Sequence, residues 1–175
     1  MLQVMLTFFS DENFVVVNDR NSGILIFSTV QSMDCLYDVG ELFIDGTFKC
    51  RPKYFYQLYS IHGCKNGNYV TLVFTLLPSK SEECYLKMWS FIQNSCSENG
   101  YELHPRTIHI DFEKSMHNAV QATFPQTAID CCRFHFGQNW WRRTQKLGLS
   151  AQYKDKSLEF GRRLTKHFRI AVSVG

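Results

Sequence analysis

The stretch ELFIDGTFKC, residues 41–50, sets Leu42, Phe43 and Ile44 directly before Asp45, with Gly46 and Thr47 directly after it. A short apolar run of this kind reads as a core β-strand. A carboxylate buried where such a run stops is costly unless it is paired, protonated or bound to a metal. Asp-Gly is also an ordinary turn signal, so the rest of the chain has to decide between a turn and a site.

Upstream, residues 14–17 (FVVV) and 24–27 (ILIF) read as two strands around the turn NDRNSG, and 31–39 as a short helix leading into the strand at 41–47. Downstream, 55–62 and 69–77 are strand candidates separated by GCKNGN, in which Asn66-Gly67 is a hairpin signal. Ser79 followed by Glu82 has the pattern of a capping box. It predicts a helix running to about Asn99, stopped by Gly100, with Tyr85, Trp89, Ile92 and Cys96 as its core face. After Pro105, RTIHID is a short strand that again ends on a carboxylate, Asp111. FEKSMHNAVQATF then places Met116, Ala119, Val120 and Phe124 on one helical face until Pro125. AIDCC is a further short strand, and 136–147 and 155–168 read as two helices broken at GLS, 148–150. From residue 41 the order is β-β-β-α-β-α-β-α, which predicts a mixed α/β sheet with helices on both faces.

The 175 residues, 45% of them hydrophobic, suffice for one domain core. Seven cysteines, an odd number without framework spacing, read as reduced thiols and favour an intracellular compartment. The opening MLQVMLTFF lacks a basic leader and is followed by Asp11 and Glu12, so no secretory signal is expected. No stretch reaches transmembrane length, and no membrane partner is expected. The formal charge of +3 is uneven: residues 1–132 carry 9 Lys+Arg against 14 Asp+Glu, a net −5, whereas 133–175 carry 10 against 2, a net +8. The basic quarter is either a polyanion-facing surface, nucleic acid first, or a solvated helical face.

Asp45 and Asp111 each end an apolar strand. In a sheet of order 3-2-1-4-5 those two strands are parallel neighbours, and the two carboxylates lie side by side at the C-terminal edge, where open α/β sheets bind ligands. Adjacent carboxylates repel unless a cation separates them, and two Mg²⁺ or Mn²⁺ ions roughly 3.5–4 Å apart suit phosphodiester chemistry. Gly46 would then leave room for a metal or phosphate. Such a site normally needs a third carboxylate, and Asp111 has the alternative role of capping the helix after it. In CCRFH, Cys132 and His135 form a CxxH pair that supplies half of a zinc site. His62, Cys64, Cys131 and His117 are only scattered further candidates, so zinc is not expected and a core cysteine beside a hydrogen-bonded histidine is preferred. In QNWWRRTQK, Trp140 and Trp141 adjoin Arg142, Arg143 and Lys146. Aromatics among cations suit base stacking and phosphate contact, although a helix directs one of two adjacent tryptophans toward a core.

Together LFIDGTFKC, YSIHG, HIDFEKSMHNAVQATFP and CCRFHFGQNWWRR resemble the core of Mutator-like element (MULE) transposases over about residues 41–146. The shared marks are a D-G-T-F first aspartate, a D-F-E second aspartate before an amphipathic helix, and a C-x-x-H followed by a basic helix. The resemblance implies a ribonuclease H-like domain of the DDE class, a mixed five-stranded sheet of order 3-2-1-4-5 with helices on both faces. It also implies metal-dependent cutting and strand transfer of DNA. Asp45 and Asp111 match the first two catalytic, metal-binding carboxylates, served by Mg²⁺ or Mn²⁺. Cys132 and His135 match the CxxH motif, whose role stays open, and Arg133, Trp140, Trp141, Arg142, Arg143 and Lys146 form the expected nucleic-acid surface.

The expected organisation is an N-terminal extension of hairpin and helix over 1–40, a core over 41–147, and a basic helical tail over 148–175 that begins a truncated helical insertion. The family's zinc-finger module has no counterpart in the first 40 residues. The family's third acid, a glutamate, lies beyond that insertion, and the surroundings of Glu159 do not match it. The expectation is therefore a truncated or domesticated transposase core of impaired activity, the alternative being a non-catalytic DNA-binding or interaction module. DNA as partner and reduced cysteines imply the nucleus, and self-association is left open.

Overall fold

The structure, a computed structural model, describes residues 14–47, 51–65, 67–131, 133–155, 157, 159, 161–163 and 166. It divides into two compact units, one reaching to Ile129 and one starting at Asp130.

The first unit opens with strands β1 (Val15–Asp19) and β2 (Ile24–Phe27), a hairpin whose turn is closed by Asp19 accepting the Ser22 N–H at 2.9 Å. Gly23 leaves the turn at φ 70°, a conformation that favours glycine. Helix α1 (Val30–Asp38) is capped by Thr29, whose hydroxyl accepts the Ser32 N–H. Strand β3 (Glu41–Thr47) is the predicted one, followed by β4 (Gln57–Lys65) and β5 (Asn68–Leu77), with Gly67 at φ 77° between them. Helix α2 (Glu82–Glu98), strand β6 (Thr107–Ile110), helix α3 (Lys114–Thr123) and strand β7 (Ala128–Cys131) complete the alternation.

The cap of α2 is Ser81, not the predicted Ser79: the Ser81 hydroxyl accepts the Cys84 N–H at 3.2 Å, while Ser79 Oγ accepts the Ser81 N–H. This start puts Glu82 and Glu83 in the first turn, where the exposed N–H groups favour negative charge.

The sheet has seven strands in the order β1-β2-β5-β4-β3-β6-β7, not five. Strands β5-β4-β3-β6-β7 reproduce the predicted 3-2-1-4-5 order, and the N-terminal hairpin extends it by pairing β2 antiparallel to β5, with Leu25 opposite Leu76 and Phe27 opposite Phe74. Without that pairing β5 would present an edge of unpaired backbone groups. Strand β3 pairs antiparallel with β4 and parallel with β6.

Alternation assigns the faces. Leu42, Ile44, Tyr59, Ile61, Val73, Leu77, Ile108 and Ile110 are buried on one side, covered by Tyr85, Met88, Trp89 and Ile92 of α2 and Met116, Ala119 and Val120 of α3, and α1 adds Met33 and Leu36 to the same cluster. Trp89 is wholly buried and meets Phe124 edge-on, with centroids 5.1 Å apart.

In the second unit, α4 (Arg133–Lys146) is followed by α5 (Ser150–Lys154), with Gly148 at φ 69° between them. Helix α5 starts at Ser150, inside the predicted break, and is capped off at Asp155, while the described residues 159, 161–163 and 166, within the second predicted helix, are helical.

Candidate functional site

Strands β3 and β6 pair as Glu41↔Thr107, Leu42↔Ile108 and Phe43↔His109. Asp111 is the first residue past β6. Both sequence-predicted aspartates therefore lie toward the C-terminal edge of the sheet, each two residues past the Phe43–His109 pair. Asp45 is exposed, contrary to the buried carboxylate that the apolar run suggested, because it falls on the face of Phe43, opposite Leu42 and Ile44. Asp111 is half-buried, and its Oδ1 accepts the Glu113 N–H at 3.0 Å. His117 Nε2 donates to the Asp111 carbonyl at 2.7 Å. Glu113, not Asp111, occupies the cap position of α3, so Asp111 serves that helix end from two residues upstream.

Gly46 does not clear space for a metal or phosphate. It lies on the core face opposite Tyr59, where an added Cβ would stand 2.9 Å from Tyr59 Cε2 and 3.3 Å from Gln57 Oε1. The missing side chain admits the Tyr59 ring beneath the strand. Gly46→Ala is expected to destabilise the fold by about 1–3 kcal/mol through overpacking, read as a lower denaturant midpoint at unchanged m-value.

Below the edge runs a polar chain that the sequence reading missed. Gln57 Nε2 donates to the Tyr85 hydroxyl at 2.7 Å, and Tyr85 donates to Glu113 Oε1 at 2.6 Å. Lys80 Nζ stands 3.0 Å from Glu113 Oε2. Glu113 was quoted only as the third letter of D-F-E; its place two residues after a strand-end aspartate, at a helix start, was the available signal. The chain holds the 111–113 turn, and with it the Asp111 carboxyl. Burial first, then the hydrogen bond to Glu113, pushes the Tyr85 phenol well above its usual range. Burial, followed by electrostatic coupling to Tyr85 and to the Asp111, Glu113 and Asp45 carboxylates, does the same to Tyr59. Both phenols stay neutral beneath the carboxylates. Tyr85→Phe leaves Glu113 Oε1 and Gln57 Nε2 without the hydroxyl, and the expected loss is about 1–3 kcal/mol in a urea titration.

On the other face Asp45 pairs across the strands with Ser60. His62 bridges Ser60 and Thr71, its Nε2 2.9 Å from Ser60 Oγ and its Nδ1 2.9 Å from Thr71 Oγ1. Burial lowers the His62 pKa, and the Asp45 charge opposes that shift. With the folded pKa below the unfolded one, the unfolded chain binds more protons as pH falls through the ordinary histidine range, so stability rises with pH there. Melts between about pH 5 and 7.5 should show a smaller acid loss for His62→Gln than for the parent chain.

Among the described residues, no group of three His, Cys, Asp or Glu is placed to hold a metal ion, and Cys35, Cys64, Cys84 and Cys96 are free thiols. Cys132 lies outside the described residues, and Arg133 and His135 are described only as backbone of α4. Within the second unit, Arg142, Arg143 and Lys146 are exposed. Trp140 and Trp141 are half-buried. Trp141 packs against Tyr153, centroids 5.5 Å apart, with Lys154 Nζ 5.5 Å from its ring centroid, so local packing occupies part of its surface. No described helix is long and apolar enough to cross a membrane.

The frame is a mixed α/β sheet in which β3 and β6 are adjacent and parallel, with Asp45 on β3, two residues before its end, and Asp111 just past β6. The profile of the MULE transposase domain matches residues 41–139, from the first residue of β3 into α4, more than half of the chain, and the chain belongs to that family. A search of curated proteins returns no match to it.

Proposed function

We propose that this chain is the ribonuclease H-like core of a MULE-type DDE transposase that acts on DNA in the nucleus, with Asp45 and Asp111 as its first two metal-holding carboxylates. The observation that supports the reading is the parallel β3–β6 register, whose last pair, Phe43 with His109, lies two residues before each aspartate. Hard carboxylate oxygens fit Mg²⁺ or Mn²⁺. The bound ions would supply an activated water and charge stabilisation for phosphodiester cleavage and strand transfer.

The chain's own residues do the rest. Asp45 is exposed on β3 two residues before the strand's end, while Asp111 is held by the Glu113 N–H and Glu113 in turn by Tyr85 and Lys80. Tyr59, 3% exposed, closes the sheet beneath them against water. The surface of α4, with Arg142, Arg143 and Lys146, would hold DNA phosphates.

A second reading, a non-catalytic DNA-binding module, is favoured by the donor set: two carboxylates, with no third donor grouped beside them among the described residues. A nicking assay on supercoiled DNA with Mn²⁺, run beside DNA binding at graded salt, tests both. Cleavage lost on chelation supports the enzyme; salt-sensitive binding without cleavage supports the module; salt-independent binding sinks both.

A further inference from the structure

The net charge of −5 over residues 1–132 hides a local reversal. From Gly46 to Ser81 the chain carries Lys49, Arg51, Lys53, Lys65 and Lys80 and not one acid. Lys65 pairs with Asp38, at the end of β4 away from Asp45. Arg51, Lys53 and Lys80 belong to the connections that follow β3, precede β4 and follow β5, all at the edge toward which Asp45 and Asp111 lie.

The 51–56 segment is folded against that edge. The Phe55 N–H donates to the Pro52 carbonyl at 3.1 Å, Arg51 Nη1 donates to the Phe55 carbonyl, and the Tyr56 N–H donates to the Leu77 carbonyl at 2.8 Å. This brace leaves Tyr54 89% exposed and Tyr56 47% exposed, with Lys80 Nζ 5.9 Å from the Tyr56 ring centroid. Lys80 also holds Glu113, whose N–H is bound by Asp111, so the aromatic segment and the carboxylate edge are joined through one lysine. Exposed rings among cations bind nucleic acid in one characteristic way: phosphates meet the cations, and unpaired bases stack on the rings. Paired bases inside a duplex present no free face for such stacking.

We propose that Arg51, Lys53, Tyr54, Tyr56 and Lys80 form a binding surface for unpaired nucleotides of DNA beside the Asp45–Asp111 edge. The inference rests on the DNA reading above and names the part of the substrate that this edge takes: a single-stranded flank, stacked on Tyr54, with its phosphates against Lys53 and Arg51.

The test is fluorescence anisotropy of the whole chain with a labelled single-stranded oligonucleotide and with the matching blunt duplex, in EDTA so that metal plays no part. Tyr54→Ala is expected to weaken single-strand binding at least about fivefold, with Tyr54→Phe restoring it, and to change duplex binding little. Lys53→Gln should lower the salt slope by about 0.7, the value for one single-strand phosphate contact. Both side chains are exposed, so neither change threatens the fold. If Arg142→Gln with Arg143→Gln abolishes binding while Tyr54→Ala and Lys53→Gln bind like the parent chain, the surface is refuted and the DNA reading stands. A parent chain that binds neither oligonucleotide refutes both.

Discussion

Asp111→Asn and Asp45→Asn are each expected to lower Mn²⁺-dependent DNA cleavage by at least about a hundredfold. That exceeds the roughly 10–100-fold loss typical of residues that merely orient a metal ligand. Asparagine keeps the size of the side chain and removes the charge that offsets the cation. The two changes should behave as a unit, the double variant losing little more than either single one, because a cation held between two carboxylates is lost with the first. Mn²⁺ affinity, read by the paramagnetic signal of the free ion, should fall in parallel, which ties the loss to the metal and not to DNA binding. Asp45 is exposed, so Asp45→Asn should melt like the parent chain. Cleavage retained by either variant would remove that aspartate from the site.

Trp89→Ala should destabilise the first unit by about 3–5 kcal/mol, a large part of the 5–15 kcal/mol that holds a typical domain. Trp89 is wholly buried on α2, edge-on to Phe124 and in one cluster with the β-sheet residues Leu42, Ile44, Ile108 and Ile110. The surrounding sheet and α3 are fixed by backbone pairing and cannot collapse into the space an indole leaves. Its Nε1–H is buried without a hydrogen-bond partner among the described residues. Trp89→Phe removes that unpaired donor along with some volume and is expected to lose under about 1.5 kcal/mol. Urea titrations of the three proteins decide the order; equal losses for Ala and Phe would mean that the site repacks.

Much of the architecture was legible because the deciding signals are local. The strand at 41–47 was read to the residue, and Tyr85, Trp89, Ile92 and Cys96 are the buried positions of α2 that helical spacing selected. Met116, Ala119 and Val120 are likewise the buried residues of α3. The readings that failed concerned partners. Gly46 looked like room for a ligand because nothing near it in the chain reveals that Tyr59, on the next strand, lies beneath it. Glu113 reads only as the third letter of D-F-E because Tyr85, 28 residues earlier, and Lys80 are distant in the chain. Pairing of the 15–27 hairpin with β5, which joins it to the sheet, is likewise invisible within either segment.

From sequence alone, then, follow the element types, the faces they bury, the strand-end positions of Asp45 and Asp111 and the family resemblance. Side-chain periodicity reports which side of a single segment meets the core, and a charged residue ending an apolar run marks itself. The tertiary structure decided that β3 and β6 run parallel in a register that brings Asp45 and Asp111 toward the same sheet edge, that Tyr59 fills the space at Gly46, and that Glu113 is tied to Tyr85 and Lys80. These depend on strand register and on contacts across long stretches of chain, and a one-residue slip in pairing would turn every side chain to the other face without altering the pattern within either strand.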